Sequence, residues 1–264
     1  MPPASPARTG SLTAGRQFLT PAGISPGAVR VDGGMTENIT ALVTGANRGL
    51  GKQLATELVA RGAKVYAAAR RPETVDLPGV IPVQLDITDP ESVRRAADIA
   101  SDVTVLVNNA GVSTRANLLT GPIDDVRLEM ETHYFGTLNV IRAFAPIIER
   151  NGGGAILNVL SVLSWAHPPT SGAYASAKAA AWALTDAVRT ELAPRGVTVS
   201  ALHVGYMDTD MVSYVPADQK IDPAVVARQA VAGLLAGEPE ILADEITRNT
   251  KAALSNSPGE PAAG

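Results

Sequence analysis

The chain has 264 residues, 45% of them hydrophobic, with 22 Lys and Arg against 26 Asp and Glu and a net charge of −4. That length suits one large domain or two small ones with a full core. No basic run exceeds Arg70-Arg71 or Arg94-Arg95, which argues against a nucleic-acid surface. No apolar run approaches the ~18 residues of a membrane span. Cysteine is absent, so neither a disulfide nor a thiolate metal site is available, and a cytoplasmic location fits.

Residues 1–37 are dominated by Pro, Ala, Gly, Ser and Thr, with Pro at 2, 3, 6, 21 and 26, and read as a disordered tail. Arg8, Arg16 and Arg30 are its only charges before Asp32. This acid-poor composition is transit-peptide-like, although the prolines oppose an amphipathic helix. A second reading starts the protein at Met35. From Ile39 onward, strand and helix patterns alternate. Ile39–Val43 reads as a strand, then a glycine-rich turn, then a helix over Leu50–Ala60. Lys64–Ala68 and Val80–Leu85 read as the next strands. Asp89 and Pro90 start a helix to Ala100 in the way an N-cap and first-turn proline do. Val103–Val107 is a strand, Asp124–Arg150 a long helix, Ala155–Val159 a strand, Ser171–Ala193 a helix and Val197–Leu202 a strand. Pro223–Leu235 and Glu240–Ala243 complete the pattern, and residues 251–264 read as a C-terminal tail. Strands alternating with helices predict an α/β fold. It is a doubly wound, Rossmann-type parallel sheet flanked by helices on both faces, within one domain over residues 38–250.

Three stretches carry chemistry. Thr44-Gly45-Ala46-Asn47-Arg48-Gly49-Leu50-Gly51 joins the first strand to the first helix, where glycines let backbone N–H groups approach a pyrophosphate at a helix N-terminus. Arg48 and Arg70 add two guanidinium groups. Ala69 precedes Arg70 where an acid would otherwise meet a ribose hydroxyl, and no carboxylate follows until Glu73, so NADP is expected over NAD. Asp86, followed by Ile87, either contacts the adenine or forms the turn Asp86-Ile87-Thr88-Asp89; both readings stand. Asn108-Asn109-Ala110-Gly111 ends a strand at the sheet edge where ligands bind. Tyr174 and Lys178 lie four residues apart on a helix, so phenol and ammonium can share a face. A neighbouring cation lowers a phenol's pKa, which suits acid–base work on a carbonyl oxygen. Ser161, thirteen residues upstream of Tyr174, ends a strand and presents a hydroxyl to the same oxygen.

In this order and spacing the motifs resemble the short-chain dehydrogenase/reductase family over about Ile39–Ala243. The resemblance implies a hydride transfer between a nicotinamide cofactor and a carbonyl or secondary alcohol. Tyr174 would then be the acid/base, Ser161 the group that orients the oxygen, and Lys178 the holder of the nicotinamide ribose. Gly45, Asn47, Arg48, Gly49, Leu50, Gly51, Arg70, Asp86, Ile87, Asn108, Ala110, Gly111 and Thr209 would contact the dinucleotide, with Tyr174 and Lys178. A homodimer or homotetramer through the two long helices is implied. The substrate would be a small molecule, with no nucleic acid, membrane or metal involved. Two positions depart from the family pattern. His133 stands where an Asn of a proton relay is usual, and either enters that relay or simply packs there. Val204 replaces the proline of a Pro-Gly segment. A dinucleotide sensor with weakened chemistry on the same fold is the alternative. The substrate pocket is expected from Val112, Ser113, Leu163, Trp165 and the loop from Tyr206 to Ile221.

Overall fold

The computed structural model describes residues 39–254, so the expected tail over 1–37 and the last residues of the C-terminal tail lie outside it. Seven strands form one parallel sheet: β1 (Thr40–Thr44), β2 (Lys64–Ala69), β3 (Val80–Gln84), β4 (Val105–Asn108), β5 (Gly154–Val159), β6 (Val197–His203) and β7 (Glu240–Leu242). Their spatial order is β3-β2-β1-β4-β5-β6-β7, with every neighbouring pair parallel. The direction of winding reverses between β1 and β4. Reversal opens a crevice beyond the carboxyl ends of these two strands, the place where open α/β sheets bind ligands.

Side chains alternate across the strands, so each strand feeds two cores. Ala41 and Val43 of β1 pack with α1 (Gly49–Ala60) and with a helix over Pro223–Leu235, through Leu54, Leu58, Val226 and Leu234. Leu42 between them faces the other core, with Val93 of α2 (Pro90–Ile99) and Phe144. Burial on both faces is what makes β1, β4 and β6 nearly unbroken apolar runs.

The long helix expected over Asp124–Arg150 is present with an internal irregularity. It runs as α3 (Ile123–Met130), a π turn (Glu131–Gly136) and α4 (Thr137–Arg150). A π turn widens the helix by one residue and is frequent at functional sites. Here it carries His133, buried, and Gly136, where any Cβ would meet Ile87 at 2.8 Å. The next helix, α5 (Gly172–Leu192), matches expectation, as does α6 (Pro223–Leu235). One further helix, α7 (Glu245–Ala253), was not expected and runs across the boundary at residue 250 between the domain and the C-terminal tail. A reciprocal cap starts it: Asp244 accepts from the Thr247 N–H at 2.8 Å, and the Thr247 hydroxyl lies 3.3 Å from the Asp244 N–H. The β4 strand begins two residues later than expected because the Val103 N–H turns back to the Ala100 carbonyl.

Candidate active site

The glycine-rich turn is held by backbone contacts that leave no room for side chains. Gly45 and Gly49 sit at φ of 65° and 53°, in the left-handed region where glycine is favoured. A Cβ on Gly51 would fall on the Gly45 carbonyl, and one on Gly45 would lie 3.0 Å from the Ala110 Cα. Thr44 fastens the turn to β4: its Oγ1 accepts from the N–H groups of Asn109 and Ala110 at 2.9 and 3.0 Å. The Asn109 side-chain amide donates to the Thr44 carbonyl at 2.9 Å. Asn109 therefore shapes the turn, a role that sequence reading gave to no single residue of its motif.

Helix α1 begins at this turn and, as α5 also does, starts differently from α2, α6 and α7. No side chain caps it and no acid lies in its first turn. By contrast α2, α6 and α7 are capped by Asp89, Asp222 and Asp244. Uncapped N–H groups and the positive end of the helix dipole form an anion site. The turn and this helix end fit a dinucleotide pyrophosphate.

The two arginines have different surroundings. Arg70 is exposed and makes no ion pair among the described residues. Arg48 Nη1 lies 3.5 Å from Asp210 Oδ2, both side chains mostly exposed, so the expected lack of a competing acid holds for Arg70 and not for Arg48. Asn47 donates to the Thr74 hydroxyl at 3.1 Å. The Thr209 methyl lies 3.4 Å from a Cβ position on Gly49, which sets the loop after β6 against the glycine turn.

Asp86 forms a turn: its Oδ1 accepts from the Thr88 N–H at 3.0 Å and hydroxyl at 2.7 Å. Ile87 is buried beside Gly136. The Asn108 side chain points into the sheet interior, where its amide donates to Asn158 Oδ1 at 2.8 Å, and Asn158 donates to Thr185 at 3.0 Å. Leu50 is buried in the core and offers only its backbone to a ligand. Gly111 is required by His133, whose Cε1 would lie 2.6 Å from any Cβ there.

The catalytic candidates converge. Ser161 follows β5 by two residues and caps the short turn after it, accepting from the Leu163 N–H at 3.1 Å. Tyr174 and Lys178 lie on α5, with Lys178 Nζ 5.6 Å from the Tyr174 ring centre. The His133 ring meets the Tyr174 ring edge-on at 5.1 Å. Lys178 is buried and donates to the Val159 carbonyl at 2.8 Å.

The charge balance of this group differs from expectation. Tyr174 titrates above the ordinary phenol range: burial raises it first, the Glu129 carboxylate adds to that, and the Ser161 hydroxyl pulls the other way. Burial lowers Lys178 to about 8, with Glu129 opposing. The expected depression of the phenol by a cationic neighbour is outweighed because Lys178 is buried, Tyr174 is half-buried and a carboxylate stands beside them. Burial also lowers His133, and the Lys178 charge lowers it further.

Glu129 was not singled out from sequence. It is fully buried. Its Oε1 accepts from the Thr114 N–H at 2.6 Å and hydroxyl at 2.9 Å. The signal available was its place one turn before His133. Trp165, expected to line the pocket, is turned instead into a buried cluster. It stacks on His203 at 3.8 Å and meets Trp182 edge-on at 5.8 Å. Lys251 of α7 lies 4.9 Å from its ring centre. His203 lies 3.2 Å by Nδ1 from the Ser161 carbonyl, and burial lowers it to about 4. Among the described residues no helix is long and apolar enough to cross a membrane.

A glycine cradle at the switch point of a parallel sheet, with Ser, Tyr and Lys gathered beside it, defines a nicotinamide-dependent oxidoreductase. The family model described as short chain dehydrogenase matches residues 39–220, and the chain belongs to that family. It is 41% identical to a short chain dehydrogenase from Burkholderia cenocepacia J2315 crystallised in complex with NADP, covering 84% of this chain and 94% of that one, with a TM-score of 0.80. It is 34% identical over 216 residues to the 3-oxoacyl-(acyl-carrier-protein) reductase FabG of Salmonella typhimurium, covering 78% of this chain and 87% of that protein. A gluconate 5-dehydrogenase from Burkholderia cenocepacia J2315, in complex with NADP and tartrate, is 26% identical with a TM-score of 0.73, over 80% of this chain and 95% of that one.

Proposed function

We propose that the protein is an NADP-dependent reductase interconverting an apolar ketone or aldehyde and its alcohol. The observation that carries this reading is the convergence of Ser161, Tyr174 and Lys178 at the same carboxyl edge of the sheet as the uncapped end of α1. The bound nicotinamide supplies the hydride, and the protein supplies placement and the proton. Tyr174, protonated at neutral pH, gives its proton to the carbonyl oxygen in reduction and recovers it from the alcohol in the reverse direction. Ser161 hydrogen-bonds the same oxygen and fixes its position. Lys178, an ammonium below about pH 8, holds the nicotinamide ribose.

Preference for NADP rests on Arg70, an exposed guanidinium at the end of β2 with Ala69 before it, suited to a 2′-phosphate. The NADP complexes of the two Burkholderia relatives support the same choice. An apolar substrate is supported by the exposed Leu118, Leu119, Tyr206, Met211 and Tyr214 on the loops after β4 and β6. Exposed Ile123, Leu128 and Phe135 along α3 and the π turn support a homo-oligomer through that helix.

The test is NADPH oxidation against a panel of ketones, aldehydes and 3-oxoacyl thioesters, with Tyr174→Phe and Arg70→Asp beside the wild type. Turnover should fall by about 10²-fold or more in Tyr174→Phe with NADPH affinity kept. Arg70→Asp should weaken NADPH and not NADH. Tight NADPH binding with no turnover of any panel member would overturn the enzymatic reading.

A further inference from the structure

Glu129 is the buried charge that the proposed chemistry does not use. It lies on α3, four residues before His133, so both face α5 from one side of the helix. One carboxylate oxygen takes two hydrogen bonds from Thr114 on the loop after β4. The other, Oε2, is buried without a hydrogen bond among the described residues and lies 3.3 Å from His133 Nε2. That same nitrogen lies 2.8 Å from the Val112 carbonyl. Nε2 thus faces two groups that only accept, and must carry a hydrogen in either charge state of the ring. The neutral imidazole is then the Nε2–H tautomer, with Nδ1 as its accepting atom.

We propose that Glu129 is a positioning residue of the site: seated between Thr114 and His133, it fixes the His133 tautomer and supplies the negative charge against which the Tyr174–Lys178 pair is balanced. The proposal rests on the reductase reading. The groups around the carboxylate are few. His133 faces it from its own helix, Tyr174 and Lys178 from α5, and Tyr214 acts on Tyr174 from the loop after β6. Arg115, next to Thr114, lies 4.1 Å over the Tyr214 ring. Among the described residues Lys178 has no carboxylate in contact, and one of its N–H groups goes to the Val159 carbonyl, so the negative charge acting on it comes from Glu129. The direction on both α5 groups is the same: a carboxylate holds the ammonium charged and the phenol neutral. That state is the proton-giving one, which favours carbonyl reduction near neutral pH. The residue after Thr114, Arg115, has φ 58°, a left-handed backbone unusual outside glycine.

Glu129→Gln keeps the shape and removes the charge. The upper pH limit of reduction and the lower pH limit of alcohol oxidation should both move down, by about one unit. Glu129→Asp restores the charge and should bring both limits back. A role in packing alone predicts lower stability with unmoved limits in Glu129→Gln, or equal movement in both variants, and either result overturns the proposal. Two readouts do not depend on turnover. In lysine-labelled protein, with Lys178→Met for assignment, Lys178 should lose its proton at lower pH in Glu129→Gln than in the wild type. In histidine-labelled wild type, with His133→Asn for assignment, His133 should be the neutral Nε2–H form at pH 7. An Nδ1–H ring overturns the proposal even where Glu129→Gln fails to fold, and an unmoved Lys178 overturns it even where no carbonyl is reduced; absence of reduction alone sinks the reductase reading.

Discussion

Two neighbouring regions at the carboxyl edge of the sheet are built by opposite means. The turn Thr44–Gly51 is made of backbone: glycines in left-handed conformations, a carbonyl against a Cα, and the Thr44 and Asn109 side chains bonding to main-chain groups. The cluster of Glu129, His133, Tyr174 and Lys178 is made of titratable side chains, the first two and Lys178 buried and Tyr174 half-buried. The first region is intolerant of volume and indifferent to pH. The second is set by the sum of its charges, so pH and charge-changing substitutions should reach it first.

Volume is the way to break the first region, and it carries the largest expected effect. In Gly51→Ala the new methyl would fall on the Gly45 carbonyl and against the Asn109 amide. Backbone cannot yield there without dismantling the hydrogen bonds to β4. Overpacking of this kind costs roughly 1–3 kcal/mol or more, and the displaced turn should lose most of its dinucleotide affinity. Thermal unfolding with and without NADPH checks both: the melting temperature should drop, and the stabilisation by NADPH should nearly vanish. Retained NADPH stabilisation would show that the turn is not the pyrophosphate site.

Charge is the way to sharpen the second. Lys178 carries the clearest sign. Its folded pKa, about 8, lies below the ordinary 10.5, so between these values the unfolded chain holds a proton that the folded chain has released. Stability from this group therefore rises with pH from about 8 to 10.5, and below 8 the folded chain bears the full penalty of a buried ammonium. Lys178→Met removes the dependence. Wild type minus variant, followed by denaturant unfolding from pH 7 to 10, should climb by about 1 kcal/mol per pH unit above pH 8. A flat difference would mean that Lys178 is paired or solvated beyond what its burial implies.

The same division decides what the sequence discloses. Backbone-built features follow from residue type: the glycine turn, all seven strands and the Asp89–Pro90 helix start are legible because only certain residues take those conformations. The Tyr174–Lys178 and Ser161 arrangement is legible from spacing on one helix and the preceding strand. The charge balance is not, because it depends on burial and on Glu129, which is forty-five positions from Tyr174 in the chain and one of two glutamates, with Glu131, near His133. A π turn leaves no mark in composition, and of the two glutamates only Glu129, in the turn of α3 before it, is buried. Trp165 looked like a pocket residue because it follows Ser161 closely, yet stacking on His203 takes it away. Helix α7 escaped notice because it is short and polar, although Asp244 and Thr247 stood at capping distance.

The smallest expected effect separates helix ends that bind from helix ends that only begin. Arg48 occupies the N-cap of α1 with extended backbone, φ −159° and ψ 175°, and caps nothing. Serine at that position can accept from the first-turn N–H groups, so Arg48→Ser should raise stability by about 0.5–1 kcal/mol. The same hydrogen bond occupies donors needed by a pyrophosphate, and the lost guanidinium removes a charge, so NADPH affinity should fall. Asp222 is the mirror case: it caps α6 by accepting from the Ala224 N–H at 2.8 Å. Asp222→Ala should lower stability by about 1 kcal/mol and leave NADPH affinity unchanged. Denaturant unfolding and NADPH titration of both variants give the four values needed. NADH titration then divides the Arg48→Ser loss: an equal fall for NADH assigns it to competition for the helix end, and a fall confined to NADPH assigns it to the guanidinium. A gain in stability with no loss of either cofactor would mean that the uncapped end of α1 is not used for binding.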